Sequence, residues 1–240
     1  SMTLDIGSPE RLNIFRQEAS RFNVSVLPPD INKSRAVFSS GTDKAGAPVI
    51  YYALAAIRNV GRQAMDVVVE ERERNGPFKS LFDFARRIDP KALNKRTLEN
   101  LIQAGAFDSL IKHRAQAAAA LDAVVSEANA AARGRETSQV SLFGDAASQD
   151  PPLPQVPQWD LPEKLAKEFD AIGFYLSGHP LQEFDGALKR LRVQPVASLF
   201  SASDRNMRAV TLAGTVVARK DRRTRDGKTM SHIGFSDPTG

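Results

Sequence analysis

Three short stretches of this 240-residue chain carry residue types that could do chemistry, and in each the chemistry is binding. Arg58-Asn59-Val60-Gly61-Arg62 sets a tight turn directly before an apolar-periodic segment. A helix starting there offers unpaired amides and the positive end of its dipole to a phosphate oxygen, Gly61 lets a ligand approach the backbone, and the arginines add charge. The same turn also serves as a packing corner between two helices. Between positions 219 and 228, Arg219, Lys220, Arg222, Arg223, Arg225 and Lys228 face only Asp221 and Asp226, which makes either a solvated hairpin tip or an electrostatic footprint for phosphate. Gln139-Val140-Ser141-Leu142-Phe143-Gly144 is an apolar island in polar surroundings. A glutamine amide can donate and accept at a pocket rim while neighbouring leucine and phenylalanine fill an apolar cavity, so Gln139, Ser141, Leu142 and Phe143 read as a docking peptide.

Other chemistries are disfavoured by composition. With no cysteine there is no disulfide framework, thiolate nucleophile or Cys-based zinc site. His113, His179 and His232 are too far apart in sequence to make a local ligand pair, so neither a metal nor another cofactor is expected in this chain. No sequence neighbour supplies a nucleophile or carboxylate beside His179, which reads as a structural hydrogen-bonding residue. Lys and Arg total 33 against 28 Asp and Glu, for a net charge of +5, and the 42% hydrophobic fraction is ordinary for a soluble protein. No apolar run approaches the roughly 18 to 20 residues that span a bilayer, and a signal pattern is missing at Ser1, so a cytoplasmic protein without a membrane partner is expected.

The elements that must position these residues fall into five segments. Residues 1–52 combine an amphipathic helix around Pro9 to Phe22 with strand-like pieces at Val24 to Leu27 and Val49 to Tyr52, separated by the rigid turn Pro28-Pro29-Asp30-Ile31-Asn32. Such an opening is too small to close a core and reads as the tail of a longer domain. Residues 53–132 read as helical. Ala64, Met65, Val68 and Val69 share a face of one helix that Asn75-Gly76-Pro77 stops, although Val67-Val68-Val69 has strand propensity. A second helix runs from Asn94 to Gln103 with Asn94 and Gly105 as caps, and an Ala-rich third spans Arg114 to Ala132. Residues 133–158, rich in Pro, Gly, Ser and Gln, are expected to form a flexible linker around the apolar island. Residues 159–200 form a helical connector, with helices at Leu161 to Phe169 and Gln182 to Leu191. Residues 201–240 give strands at Val210 to Ala218 and Thr229 to Phe235, joined by the basic loop at Asp226-Gly227.

A second Gly-containing hairpin, Ala104-Gly105-Ala106-Phe107, follows the first by about 45 residues. The pair resembles tandem helix-hairpin-helix modules, which grip duplex DNA through its backbone without reading sequence. Asn59 departs from that pattern, in which a glycine is common. Basic residues are sparse near the second turn, Lys112 and Arg114 being nearest, so that turn supports the fold more than it touches DNA. The resulting expectation is a mainly α fold with tandem helix-hairpin-helix units, a small mixed α/β N-terminal part and a truncated β part of OB-fold type. Candidate DNA contacts are Arg58, Asn59, Val60, Gly61, Arg62 and Gly105, together with Arg219, Lys220, Arg222, Arg223, Arg225 and Lys228.

The Gln-x-x-Leu-Phe form of Gln139 to Phe143 resembles the peptide by which bacterial replication proteins bind the sliding clamp. Met2-Thr3-Leu4-Asp5, Leu27 to Asn32, Tyr52 to Gly61, Gly76 to Phe84, Asn94-Lys95-Arg96 with Gly105 to Asp108, and Gly173 to Leu181 extend the likeness along the chain. Together they resemble an internal section of the C-family bacterial replicative DNA polymerases, the polymerase III alpha subunits. The resemblance implies the end of a fingers domain, a helix-hairpin-helix and clamp-binding domain, and the start of an OB domain. Its implied partners are primer-template duplex, the sliding clamp (beta subunit) and other replicase subunits. It places the polymerising Mg²⁺ ions on palm aspartates upstream of Ser1, so this segment alone is not expected to polymerise DNA. A free-standing helix-hairpin-helix adaptor and the error-prone paralogue of the same family are the alternative readings.

Overall fold

Apolar periodicity decides most of the first 136 residues, and hydrogen bonds of polar turns decide how its pieces join. A computed structural model describes residues 2–136, 149–201 and 209–239, and the chain falls into two units, 1–176 and 177–240.

The first unit opens with α1 (Pro9–Arg21), which starts on a proline and buries only Leu12 fully. Strands β1 (Ser25–Leu27), β2 (Ser39–Thr42) and β3 (Pro48–Tyr51) form a sheet of order β1-β3-β2, with β1 parallel and β2 antiparallel to β3. Asn32 reaches well beyond its own turn: its side-chain amide accepts from Phe78 N at 2.8 Å and donates to Phe78 O at 2.9 Å. The backbone of Ile31 donates to Ala106 O at 2.7 Å, and Arg72 donates to Ile31 O and Ser34 O. These bonds weld the sheet region to the helices, so Leu12, Ile31, Tyr52, Met65, Phe84, Leu101 and Phe107 lie in one core that crosses the expected boundary at 52/53.

After a 3₁₀ turn at Leu54–Ala56 comes α2 (Arg62–Asn75). Helix wins over the strand propensity of the valine run because Val68 and Val69 then join Met65 on one buried face, leaving Val67 outside. Helix α3 (Leu81–Arg87) is capped by Ser80 and α4 (Lys95–Gln103) by Asn94, whose side chain accepts from Thr97 N. At its other end α4 closes with Gly105 at φ 84°, Gly105 N bonding Ile102 O and Ala106 N bonding Leu101 O. That crossed pair of bonds needs a left-handed residue.

The Ala-rich helix expected from 114 to 132 is two helices, α5 (Arg114–Ala119) and α6 (Leu121–Glu136), broken at Ala120. Alanine propensity has no reason to break there. Packing supplies one, since α5 lies against α4 while Leu121, Val124 and Ala128 turn the next segment into the core against α3. Helix also continues through residues expected to start the linker. Past the undescribed segment, α7 (Leu161–Ile172) is capped by Asp160 and ends at Gly173, φ 98°.

In the second unit, the helix expected over Gln182 to Leu191 is a 3₁₀ turn, Pro180–Phe184, followed by α8 (Asp185–Arg190). His179 begins the turn as a cap, its Nδ1 accepting from Leu181 N while its own amide donates to Gln182 Oε1. Helix α9 (Val196–Ser201) has its start held by buried Asp237, which accepts from Val196 N at 2.8 Å. The strands are β4 (Thr215–Arg223) and β5 (Thr229–Ser236), antiparallel with a bulge between Val216 and Ala218. Strand β4 thus starts later than Val210 and runs through most of the expected basic loop, because ladder pairing to Thr229–Ile233 overrides the charged composition. Only Thr224 to Lys228 form the turn, with Gly227 at φ 76°.

A Cβ at Gly105 would lie 2.6 Å from Arg114 Cζ and 2.9 Å from Asp108 Oδ2, on a backbone that L-residues rarely adopt. Gly105→Ala is expected to destabilise the chain by about 2 kcal/mol or more, read as a lowered urea midpoint with unchanged slope.

Candidate nucleic-acid interface

The first hairpin runs from Ile57 to Gly61. Asn59 takes φ 60°, the left-handed conformation a glycine would supply, which asparagine adopts more readily than most residues. Val60 N donates back to Ile57 O at 3.2 Å, closing the turn, and the Val60 side chain is buried. Gly61 is the N-cap of α2, with open space where a Cβ would stand. No side chain caps this helix, its first turn has no acid, and its first backbone bond runs from Met65 N to Gly61 O. The amides of Arg62, Gln63 and Ala64 therefore project from the helix start. Arg62 itself is exposed, with Asp66 at 3.8 Å, a loose surface pair worth little.

Helix α4 begins beside this hairpin, because Thr97 Oγ1 donates to Asn59 O at 2.9 Å. It too has no acid in its first turn, and its first two residues are Lys95 and Arg96. Lys95 pairs with Asp122 at 2.5 Å, whereas Arg96 is exposed. Cations at a helix start oppose the dipole, which favours anions there. Two adjacent starts thus carry arginine with no acid in the first turn, the nearest acids being Asp66 beside Arg62 and Asp122 beside Lys95. Arg96 was absent from the candidates read from sequence. Its signal was available as two basic residues directly after a capping asparagine.

Three sequence candidates have other tasks in the structure. Arg58 donates from its backbone to Ala171 O at 2.8 Å and from Nη1 to Asp170 O at 2.9 Å, so its cation sits on the last carbonyls of α7, where the dipole favours it. Val60 spends its amide on the turn. Gly105 is buried, and the space beside it is filled by the Arg114 guanidinium, which bonds Asp108 at 2.6 and 2.8 Å. The second hairpin is thus sealed from within.

The basic strand residues are exposed but divided. Pairing places Lys220 and Arg222 beside His232 and Met230 on one face, with Arg219, Asp221 and Arg223 beside Ile233, Ser231 and Thr229 on the other. Asp221 accepts from Ser231 and Arg219, which hold its carboxyl below the usual range. Arg225 and Lys228 stand at the turn. The docking-peptide residues Gln139, Ser141, Leu142 and Phe143 lie outside the described residues. On either side of them, Arg135 donates to Arg86 O and Arg86 Nη2 donates to Asp150 at 2.5 Å, so both flanks meet at Arg86. Among the described residues no three His, Asp or Glu side chains converge as metal ligands, and no helix is long and apolar enough to cross a membrane.

The helix-hairpin-helix motif family matches residues 23–117, which contain both hairpins. Over all of its length the chain is 39% identical to DNA polymerase III subunit alpha of Caulobacter vibrioides, 35% to that of Vibrio cholerae and 30% to that of Pseudomonas aeruginosa. The chain belongs to the DNA polymerase III alpha family. It spans about a fifth of the length of these curated relatives, 21%, 20% and 21% respectively.

Arg58→Ala is expected to destabilise this polymerase III alpha segment by about 1 kcal/mol, since it removes a charged hydrogen bond and a favourable dipole contact. Arg62→Ala should stay within about 0.5 kcal/mol of the parent. Chemical denaturation of both variants at one ionic strength checks the contrast.

Proposed function

We propose that this chain is a section of a replicative DNA polymerase III alpha subunit that grips the duplex backbone behind the polymerising centre and tethers the enzyme to the sliding clamp. The observation that supports the grip most directly is the pair of acid-free helix starts, α2 with Arg62 and α4 with Arg96, joined by the Thr97 to Asn59 hydrogen bond. A phosphate there would meet projecting amides and arginine charge together, and would relieve the unfavourable dipole contact of those cations. Backbone contacts of this kind position DNA without reading its sequence.

The tether rests on Gln139, Leu142 and Phe143, and the fixing of both flanks at Arg86 would keep such a peptide close to the DNA-gripping unit. The second unit is read as the start of an OB-fold, supported by a hairpin whose apolar Val216, Ile233, Met230 and Phe235 are all exposed and would suit further strands. Its basic residues would then face nucleic acid from both sides of the hairpin. Polymerisation, with Mg²⁺ on palm aspartates, belongs in this reading to the parent enzyme in the bacterial cytoplasm, and this section alone is inactive.

Duplex affinity should fall steeply with salt and change little with sequence. Arg62→Ala and Arg96→Ala should each lower the slope of log K against log salt by about 1. Unchanged slopes in both would overturn the grip. For the tether, Leu142→Ala with Phe143→Ala should abolish calorimetric binding to a bacterial sliding clamp without altering duplex affinity; retained clamp binding would remove that assignment.

A further inference from the structure

Helix α7 lies outside the residues matched by the helix-hairpin-helix family, yet one of its turns holds both halves of the matched region. Glu168, fully buried, meets Arg114 Nη1 at 3.4 Å. The same Nη1 donates to Gln103 O at 2.9 Å, the last residue of α4. Two and three residues beyond Glu168, the carbonyls of Asp170 and Ala171 receive Arg58, which leads into α2. Gly173 lets α7 stop close against Pro9 and Arg58, since a Cβ there would lie 2.6 Å from Pro9 Cβ and 3.0 Å from Arg58 Nη2. The turn Glu168 to Ala171 therefore bridges the end of α4 and the beginning of α2.

Glu168 uses both carboxylate oxygens: Oε1 accepts from Leu176 N at 3.0 Å and Oε2 meets Arg114. Asp108 already neutralises Arg114 with three hydrogen bonds, and a second carboxylate brought fully out of water carries a desolvation cost that such pairs often fail to recover. What the pair does fix is which turn of α7 faces Arg114, and with it the placement of Arg58. A leucine or methionine could fill the volume, but it would fix no register and would take away the acceptor of the Leu176 amide.

We propose that the Glu168 to Ala171 turn of α7 is a positioning element for DNA binding. It sets the placement of α2 against α4, so that Arg62 and Arg96 address one phosphate backbone together, with Glu168 acting through Arg114 and Gln103 and the helix end acting through Arg58. Neither Glu168 nor Arg58 touches the duplex. The inference rests on the duplex-backbone reading above, and extends the functional module from residue 117 to the end of α7.

The test is a double-mutant cycle in the full 240-residue chain, with a labelled duplex of about 20 base pairs titrated over a range of salt. Glu168→Gln keeps the shape and removes the charge, and Arg58→Met removes the side-chain bond to Asp170 O at the opposite end while leaving the backbone bond to Ala171 O in place. Each is combined with Arg96→Ala, which none of the bridging groups contacts. Roughly tenfold weaker duplex binding is expected for either bridge variant at constant near-ultraviolet dichroism, with a shallower salt slope. In either background Arg96→Ala should cost much less than in the parent, and Glu168→Asp should restore part of the affinity. Additive costs overturn the proposal, as does parental affinity and slope in a chain that is merely less stable. Should Glu168→Gln fail to fold, the Arg58→Met cycle decides by the same criterion. If Arg62→Ala and Arg96→Ala leave duplex binding unchanged in the parent, the phosphate reading itself has failed, an outcome separable from failure of the bridge.

Discussion

The guanidinium of Arg114 is the point on which the helical region depends. It is 5% exposed, lies over the Cα of Gly105, bonds Asp108 three times, terminates α4 at Gln103 O and meets Glu168 of α7. A buried cation this well satisfied is expensive to disturb, because removing one partner leaves a charge in a medium that solvates it poorly. The planar fork of arginine matters, since lysine offers no fixed geometry to hold two acids and a carbonyl at once. One side chain thereby decides the conformation of the second hairpin, the end of α4 and the register of α7.

From that fixed frame the positive potential at the first hairpin follows. Both helix starts face solvent with cations where the dipole disfavours them, and the frame prevents either helix from turning its arginine elsewhere. Arg58 shows the contrast in the same hairpin: placed at a helix end, its charge satisfies α7 carbonyls. Arginines four residues apart thus sit differently, one on the carbonyls of a helix end and one exposed with only a loose pair to Asp66.

Local signals carried much of this into the sequence. The caps Asn94, Gly76 and Gly105 and the period of α2 were legible because they depend on neighbours within a turn of helix. The split of the alanine run at Ala120 was not, since helix propensity is uniform there and the bend answers to α3 and α4. The reach of Asn32 to Phe78 spans 46 residues and has no local trace, so nothing near Asn32 in sequence shows that its turn is bonded to the segment leading into α3. The basic residues of β4 misled for a related reason. Charge clusters suggest loops, but the pairing partner Thr229–Ile233 decides where a strand ends. For Arg58, sequence proximity to Gly61 could not show α7, 112 residues away, where the Asp170 carbonyl accepts from its guanidinium.

The two hairpins show why a glycine turn is weak evidence of a binding site by itself. Gly61 and Gly105 both stand where a turn meets a helix end, and both permit close approach of another group to the backbone. At Gly61 the space is open, no side chain caps the following helix and Arg62 is only loosely paired. At Gly105 the approaching group is already present, an internal arginine that occupies the place a ligand would take. The chemistry permitted by the two glycines is the same. What separates the two is whether the fold supplies its own occupant, and only at the second hairpin does an internal side chain, Arg114, fill the space beside the glycine.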